Sequence, residues 1–152
     1  MGDTIYFATD HAGFALKNAL VTFVRDELAC DVFDCGPATY DAQDDYPDYI
    51  ALAAKKVSES PTHKAIILGG SGQGEAMVAN RFPHVRATVY YGGAPDILTL
   101  SREHNDANIL SLGARFLDED QAKAVVQQWL QTSFSEEERH IRRIKKIEHV
   151  RN

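Results

Sequence analysis

Four glycines, Gly69, Gly70, Gly72 and Gly74, fall within six residues, and Glu75 follows them directly. Glycine lets backbone N–H groups face an anion with no side chain in the way, and a helix opening after such a loop adds the positive end of its dipole. A carboxylate beside those donors suits removal of a proton next to a carbonyl, because the donors can hold the oxyanion that forms. Two effects act on Glu75 in opposite senses: burial raises its pKa, and a helix N-terminus favours its ionised form. The loop is none of three familiar motifs. It reads GxGxG and not the dinucleotide GxGxxG. It lacks the Lys-Ser/Thr of a P-loop, and Gln73 stands where a nucleophile elbow on Ser71 would need glycine. A plain strand-to-helix turn with an acid in its first turn fits the same residues.

Three other groups of polar residues are candidates. Asp10 and His11 end an apolar run, with Gly13 just beyond. Asp10 alone fits a helix N-cap, whereas a histidine beside it would face a strand-end crevice. A dense polar run, Ser101-Arg102-Glu103-His104-Asn105-Asp106-Ala107-Asn108, precedes another apolar segment. Near the C-terminus, Arg139, Arg142, Arg143, Lys145 and Lys146 form a basic stretch. Arg139 and Arg143 share one helical face at i and i+4 and could clamp a phosphate, although a solvated face explains them equally well. The six histidines include no HxH or HExxH and no pairing with cysteine, so no metal site is expected. His63, His84 and His149 read as surface residues.

The elements that must position these groups alternate between short β-branched runs and longer amphipathic ones. Strands are expected over 4–9, 30–35, 64–68, 85–90 and 108–112. Helices are expected over 14–28, from Pro47 to Ser60, and over 75–81, 94–103, 121–132 and 135–149. Pro47 belongs in a first helical turn, and Ser135 with Glu138 could form a capping box. Five β-α units in series predict an α/β, Rossmann- or flavodoxin-like three-layer sandwich with a five-stranded parallel sheet and a C-terminal helix. The whole chain, 1–152, reads as a single domain. Ligands in such folds bind outside the carboxyl ends of the strands. That rule selects Asp10-His11, the segment 69–75 and Gly113-Ala114-Arg115.

A net charge of −6 argues against nucleic acid as a main partner, since that binding rests on neutralising phosphates with a basic face. No apolar run approaches the length needed to cross a bilayer, and the N-terminus lacks a basic leader, so a cytoplasmic protein with no membrane partner is expected. Cys30 and Cys35 lie an odd number of residues apart on one strand. They therefore face opposite ways, and both read as buried free thiols.

Taken together, the segments Asp10-His11-Ala12-Gly13-Phe14-Ala15-Leu16-Lys17, Asp44-Asp45-Tyr46-Pro47-Asp48-Tyr49, Gly69-Gly70-Ser71-Gly72-Gln73-Gly74-Glu75 and Ala79-Asn80-Arg81 resemble the ribose-5-phosphate isomerase B family. That family includes the galactose- and allose-phosphate isomerases. The run from Ser101 to Asn108, Leu112-Gly113-Ala114-Arg115 and Glu138-Arg139-His140-Ile141-Arg142-Arg143-Ile144 extend the likeness over the whole chain in order.

The resemblance implies an aldose–ketose isomerase that needs no cofactor or metal. It would interconvert ribose 5-phosphate and ribulose 5-phosphate through a cis-enediolate, as a homodimer or a homotetramer with shared active sites. Asp10 and His104 look like the ring-opening pair. Ser71 and the N–H groups of Gly70, Gly72 and Gly74 would hold the enediolate oxygens, while Asn105 and Tyr46 contact the sugar. His11, Arg115, Arg139 and Arg143 look like phosphate ligands. Many members carry a cysteine base at the position of Gly69; a second branch has glycine there and a glutamate after the loop, and Glu75 follows that branch. The resemblance further implies that one chain supplies the Glu75 loop and its partner supplies His104 and Arg115. Two other readings stay open: a six-carbon sugar phosphate such as allose or galactose 6-phosphate as substrate, and a non-catalytic module that binds a phosphosugar.

Overall fold

The structure is a computed structural model that describes residues 2–150. Five strands form one all-parallel sheet: β1 (Thr4–Ala8), β2 (Asp31–Asp34), β3 (Lys64–Gly69), β4 (Ala87–Tyr90) and β5 (Ile109–Gly113). Six helices accompany them: α1 (Phe14–Thr22), α2 (Tyr46–Glu59), α3 (Gln73–Ala79), α4 (Asp96–Glu103), α5 (Glu119–Gln131) and α6 (Glu138–Glu148). The expected α/β three-layer sandwich is what forms. Strand order is β2-β1-β3-β5-β4, which exchanges the last two strands of the flavodoxin order. That exchange puts β5 next to β3, with Gly69 opposite Gly113. The ends of β1, β3 and β5 are consequently side by side, and all three carry candidate site residues.

Alternation along the strands builds a core on each face. Phe7, Ile66, Leu68, Leu110 and Leu112 pack with Leu20, Val24, Val126 and Trp129, under α1, α4 and α5. Ala8, Ala65, Ile67 and Ile109 pack with Ile50, Ala53, Ala54 and Val57, under α2 and α3. The chain leaves β1 toward one face and β3 toward the other. The crevice between those two strand ends is therefore the topological switch point, where ligands of open parallel sheets bind.

Several local expectations need correction. Helix α1 ends at Thr22 and continues as a wider π turn over Phe23–Glu27. The last helix begins at Glu138 and not at Ser135, and no side chain caps it. Ser135 is taken up elsewhere: its Oγ donates to the Glu103 carbonyl at 2.7 Å and its N–H donates to the same oxygen. A capping box does form at the start of α5, where Asp118 and Gln121 exchange side-chain and backbone hydrogen bonds. Pro47 lies in the first turn of α2 as expected. Cys30 and Cys35 are free thiols, but half-buried where full burial was expected, because they flank β2 at the sheet edge. Burial and the neighbouring Asp34 push the Cys35 thiol up to about 11. Among the described residues no helix is long and apolar enough to cross a membrane.

Candidate active site

The crevice at the switch point is an open pocket of about 460 Å³. Its walls include Asp10 and His11 from the end of β1, Ser71 from the loop after β3, Glu75 from the first turn of α3, Tyr46 from α2 and Arg115 from the end of β5. Asp10 is buried and caps a 3-10 turn over His11–Gly13, its Oδ1 accepting from the Ala12 N–H at 2.9 Å. The N-cap role read from sequence is therefore real, and it fixes this carboxylate at the pocket edge.

The glycine loop is shaped by its neighbours. Gly72 is left-handed (φ 80°) and caps α3, a conformation that favours glycine. Its carbonyl accepts from the buried Ser111 hydroxyl at 2.7 Å, which ties the loop to β5. A Cβ at Gly74 would run into the ring end of Tyr46, so the phenol lies directly on the loop backbone. A Cβ at Gly70 would stand 3.0 Å from the Arg115 guanidinium, and the Arg115 N–H donates to the Gly70 carbonyl at 3.2 Å. Arg115 therefore lies in the pocket of the same chain as Glu75. The expectation that a partner chain supplies it is corrected: the neighbouring β3 and β5 bring the two residues together.

Glu75 is 4% exposed, in the first turn of α3. Its carboxyl group fills the space where a side chain at position 69 would stand, and a Cβ at Gly69 would overlap it. Burial raises the Glu75 pKa above the ordinary carboxylate value, and Asp10 nearby adds to the rise. Hydrogen bonds from the backbone of Glu75 itself and of Gly72 pull the other way without cancelling it. The opposition of burial and helix-start donors read from sequence is thus present, and burial wins.

His104, Asn105, Arg139 and Arg143 do not reach this pocket. His104 follows α4 and precedes β5, at the N-terminal edge of the sheet, whereas Glu75 follows the C-terminal end of β3. The five residues of β5 separate the two edges by about 16 Å, at roughly 3.3 Å per residue. His104, Arg139 and Arg143 lie instead around His140, and Asn105 follows His104 in the chain. The Ser135 bonds to Glu103 bring the start of α6 against the end of α4, where the rings of His104 and His140 stack with centroids 4.2 Å apart. His140 is the buried residue of α6; burial, then His104 and Arg139, hold it below the usual histidine range. Arg139 pairs with Glu137 at 3.1 Å, and Arg143 has no ion pair among the described residues. Helix α6 otherwise shows solvent its basic face and part of an apolar one, with Ile147 half exposed.

Sequence reasoning passed over two residues, His140 and Asp44. One oxygen of Asp44 accepts from both the backbone N–H of His11, at 3.0 Å, and its ring Nδ1, at 2.7 Å. Asp44 and His11 are 33 residues apart, so no local spacing marks the pair. Ligand-type atoms of Asp10, His11 and Asp44 lie within 4.8 Å of one another.

Comparison with known proteins agrees with this architecture. A family described as ribose/galactose isomerase matches residues 5–147. Ribose-5-phosphate isomerase B of Mycobacterium tuberculosis is 36% identical over 143 residues, covering 94% of this chain and 86% of that protein. The crystal structure of ribose-5-phosphate isomerase B from Mycoplasma genitalium with bound ribulose-5-phosphate superposes with a TM-score of 0.91 at 35% identity, covering 97% of this chain and 95% of that one. The type B enzyme of Trypanosoma cruzi gives a TM-score of 0.89 at 36% identity, with the same coverage. Its sequence, its sheet and these relatives together place the chain in the ribose/galactose isomerase family.

Proposed function

We propose that this chain interconverts ribose 5-phosphate and ribulose 5-phosphate, with Glu75 as the base. The observation that carries the reading is the Glu75 carboxyl itself. It is buried, its pKa is raised above the ordinary carboxylate value, and it occupies the volume that a side chain at Gly69 would fill. In the branch of the family with a base at that position, the reactive atom would stand in the same place. The chain therefore keeps the base where the chemistry needs it and changes only the residue that delivers it.

The steps follow from the groups in reach. Asp10 and a histidine at the opposite side of the sugar open the furanose ring by proton transfer to the ring oxygen O4, as the C1–O4 bond breaks, and from the C1 hydroxyl. Glu75 then takes the C2 proton, and the electrons of that C–H bond form the C1–C2 double bond of the enediolate while the carbonyl oxygen gains charge. Ser71 Oγ and the loop N–H groups of Gly70, Gly72 and Gly74 would hold that oxygen, the kind of preorganised donor set that stabilises charge formed in a transition state. Return of the proton from Glu75 to C1, with transfer of the O2 hydroxyl proton to O1, completes the ketose. Tyr46 bounds the sugar, and His11 and Arg115 carry the charge to meet its phosphate. No residue in this sequence of steps calls for a metal or an organic cofactor.

The histidine of the ring-opening pair is His104, contributed by a second copy, because His104 cannot reach the pocket of its own chain. The same copy would bring Asn105, Arg139 and Arg143, so a homodimer is the smallest complete enzyme, and a homotetramer is a pair of such dimers. Exposed Tyr91, Ile97, Leu100 and Phe116 offer an apolar surface for that contact. A soluble, cytoplasmic enzyme of pentose phosphate metabolism fits these features.

The test is a side-by-side assay of ribose 5-phosphate, allose 6-phosphate and galactose 6-phosphate. The reading expects the highest kcat/KM on ribose 5-phosphate. A preference for a six-carbon sugar would move the substrate while keeping the chemistry, and binding without turnover of any of the three would leave a phosphosugar-binding module.

A further inference from the structure

His11 needs a proton on the ring nitrogen that faces the pocket if it is to donate to a phosphate, and neutral imidazole carries only one N–H. The structure commits that first N–H. Ring Nδ1 lies 2.7 Å from Asp44 Oδ1, the same oxygen that accepts from the His11 backbone N–H. A carboxylate cannot donate, so Nδ1 must. Nε2 is left without a partner among the described residues. We propose that Asp44 is a positioning residue for substrate binding: its grip on His11 fixes the ring, reserves Nδ1 as donor to the carboxylate and presents Nε2 to the pocket as a second, cationic donor for the sugar phosphate. The inference rests on the reading of this pocket as a phosphosugar site.

Three further observations carry it. The Asp44 side chain is only 4% exposed, and its second oxygen is buried with no partner. A buried carboxylate with one orphan oxygen is costly unless a cation stands against the other, and His11 is the group that does so. Asp44 itself is held in place by sequence-local structure. Its N–H donates to the Asp41 carbonyl, and Asp45 and Pro47 then start α2, the helix that delivers Tyr46 to the same pocket. Finally, the charges facing His11 favour the imidazolium. The Asp44 hydrogen bond is the largest influence, desolvation opposes it, Asp10 adds to the rise and Arg115 from the end of β5 reduces it; the balance is a raised pKa. Tyr40, edge-on to the ring at 6.4 Å, adds no charge. The sign follows directly. A raised histidine pKa keeps the cation to higher pH, so phosphate affinity due to His11 is present below that pKa and lost as pH rises through it.

The experiment uses the whole enzyme and inorganic phosphate as the probe, in wild type, Asp44→Asn, His11→Ala and the double variant. Asparagine keeps an oxygen to accept from Nδ1 but removes the charge, so its effect should appear between the two His11 midpoints. Asp44→Asn should weaken phosphate binding in the pH range between the two midpoints, by up to about tenfold, the scale of one charge-assisted contact, and the two proteins should converge at pH values below both midpoints. The ratio between variant and wild type cancels the titration of phosphate itself. In His11→Ala the second change should cost nothing more, since Asp44 acts through His11. In wild type, ¹⁵N spectra of the His11 ring should show Nδ1 protonated at every pH, with a midpoint above 6.5. That measurement stands even if a variant does not fold. A defective His11→Ala beside an unaffected Asp44→Asn, a loss equal at all pH values, or a full additive loss in the double variant would each overturn the role of Asp44. Unchanged phosphate binding in His11→Ala would instead overturn the phosphate reading of this pocket, and the role of Asp44 with it.

Discussion

Replacing Gly69 with alanine should disable the enzyme without removing any group that meets the substrate. A Cβ at that position falls on the Glu75 carboxyl group, well inside the 3.4–4 Å of ordinary van der Waals contact, so the carboxyl must retreat by about 1 Å or turn to another rotamer. A misplacement of about 1 Å can cost on the order of 10²-fold in rate, because proximity and orientation supply much of the catalysis. Gly69→Ala should therefore lower kcat for ribose 5-phosphate isomerisation by about that factor, with KM changing far less, since the phosphate ligands do not move. The φ of Gly69 lies outside the left-handed region, so backbone strain does not confuse the result. Thermal melting read alongside separates a displaced base from a failed fold. The double variant Gly69→Cys with Glu75→Ala should show measurable turnover, because the thiol then occupies the volume that the carboxyl vacates. Gly69→Ala with wild-type kcat would refute the reasoning, since it would mean that the carboxyl position does not matter.

Three other outcomes follow from the same geometry. The acid limb of kcat/KM should lie above 4.5, because Glu75 works as the ionised base and burial raises its pKa; the raised value also means that ionised Glu75 costs stability as pH rises through it, so Glu75→Gln should melt no lower than wild type at pH 7.5. Arg115→Ala, Arg139→Ala and Arg143→Ala should each weaken inhibition by inorganic phosphate roughly tenfold to hundredfold, the loss of one charge-assisted contact; unchanged inhibition in the last two would assign α6 to solvent. Glu75→Ala and His104→Ala, each nearly inactive alone, should regain about a quarter of wild-type activity when refolded together, because half the dimers are mixed and each mixed dimer has one intact site. No regain, with mixed dimers verified by mass, would contradict a shared site.

The alternation of apolar runs was enough to read the parallel sheet and its helices, because each strand-and-helix period is long and regular. The exchange of β4 and β5 was not legible: the connections on either side of β4 are both long enough for either order. The clue lay in composition. Half-buried Ala87, Thr88 and Val89 suit an edge strand, and the fully buried run Ile109–Gly113 a central one. That same order sets Arg115 beside the Gly70 loop of its own chain, where the strand-end rule already selected it and the family resemblance alone pointed to a partner. The Ser135–Glu138 spacing had the form of a cap, yet a tertiary hydrogen bond to Glu103 took the serine instead. At the site, Asp10 and Glu75 stood out because they adjoin strand ends and glycines. Asp44 did not, since its contact with His11 depends on how a loop of irregular chain folds back. His140 was hidden for a similar reason: its ring is buried against His104 through the packing of α6 on the end of α4.

The central claim is that this pocket moves a proton at carbon, and the most direct test is hydrogen exchange in heavy water. Wild-type enzyme given ribose 5-phosphate in D₂O should form ribulose 5-phosphate and also return ribose 5-phosphate carrying deuterium at C2, read by proton NMR. The account expects Glu75→Gln to slow both by about 10²–10⁴-fold while phosphate still binds. Tight binding of ribose 5-phosphate by the wild type with neither exchange nor ketose would contradict it, as would a Glu75→Gln variant that exchanges at the wild-type rate.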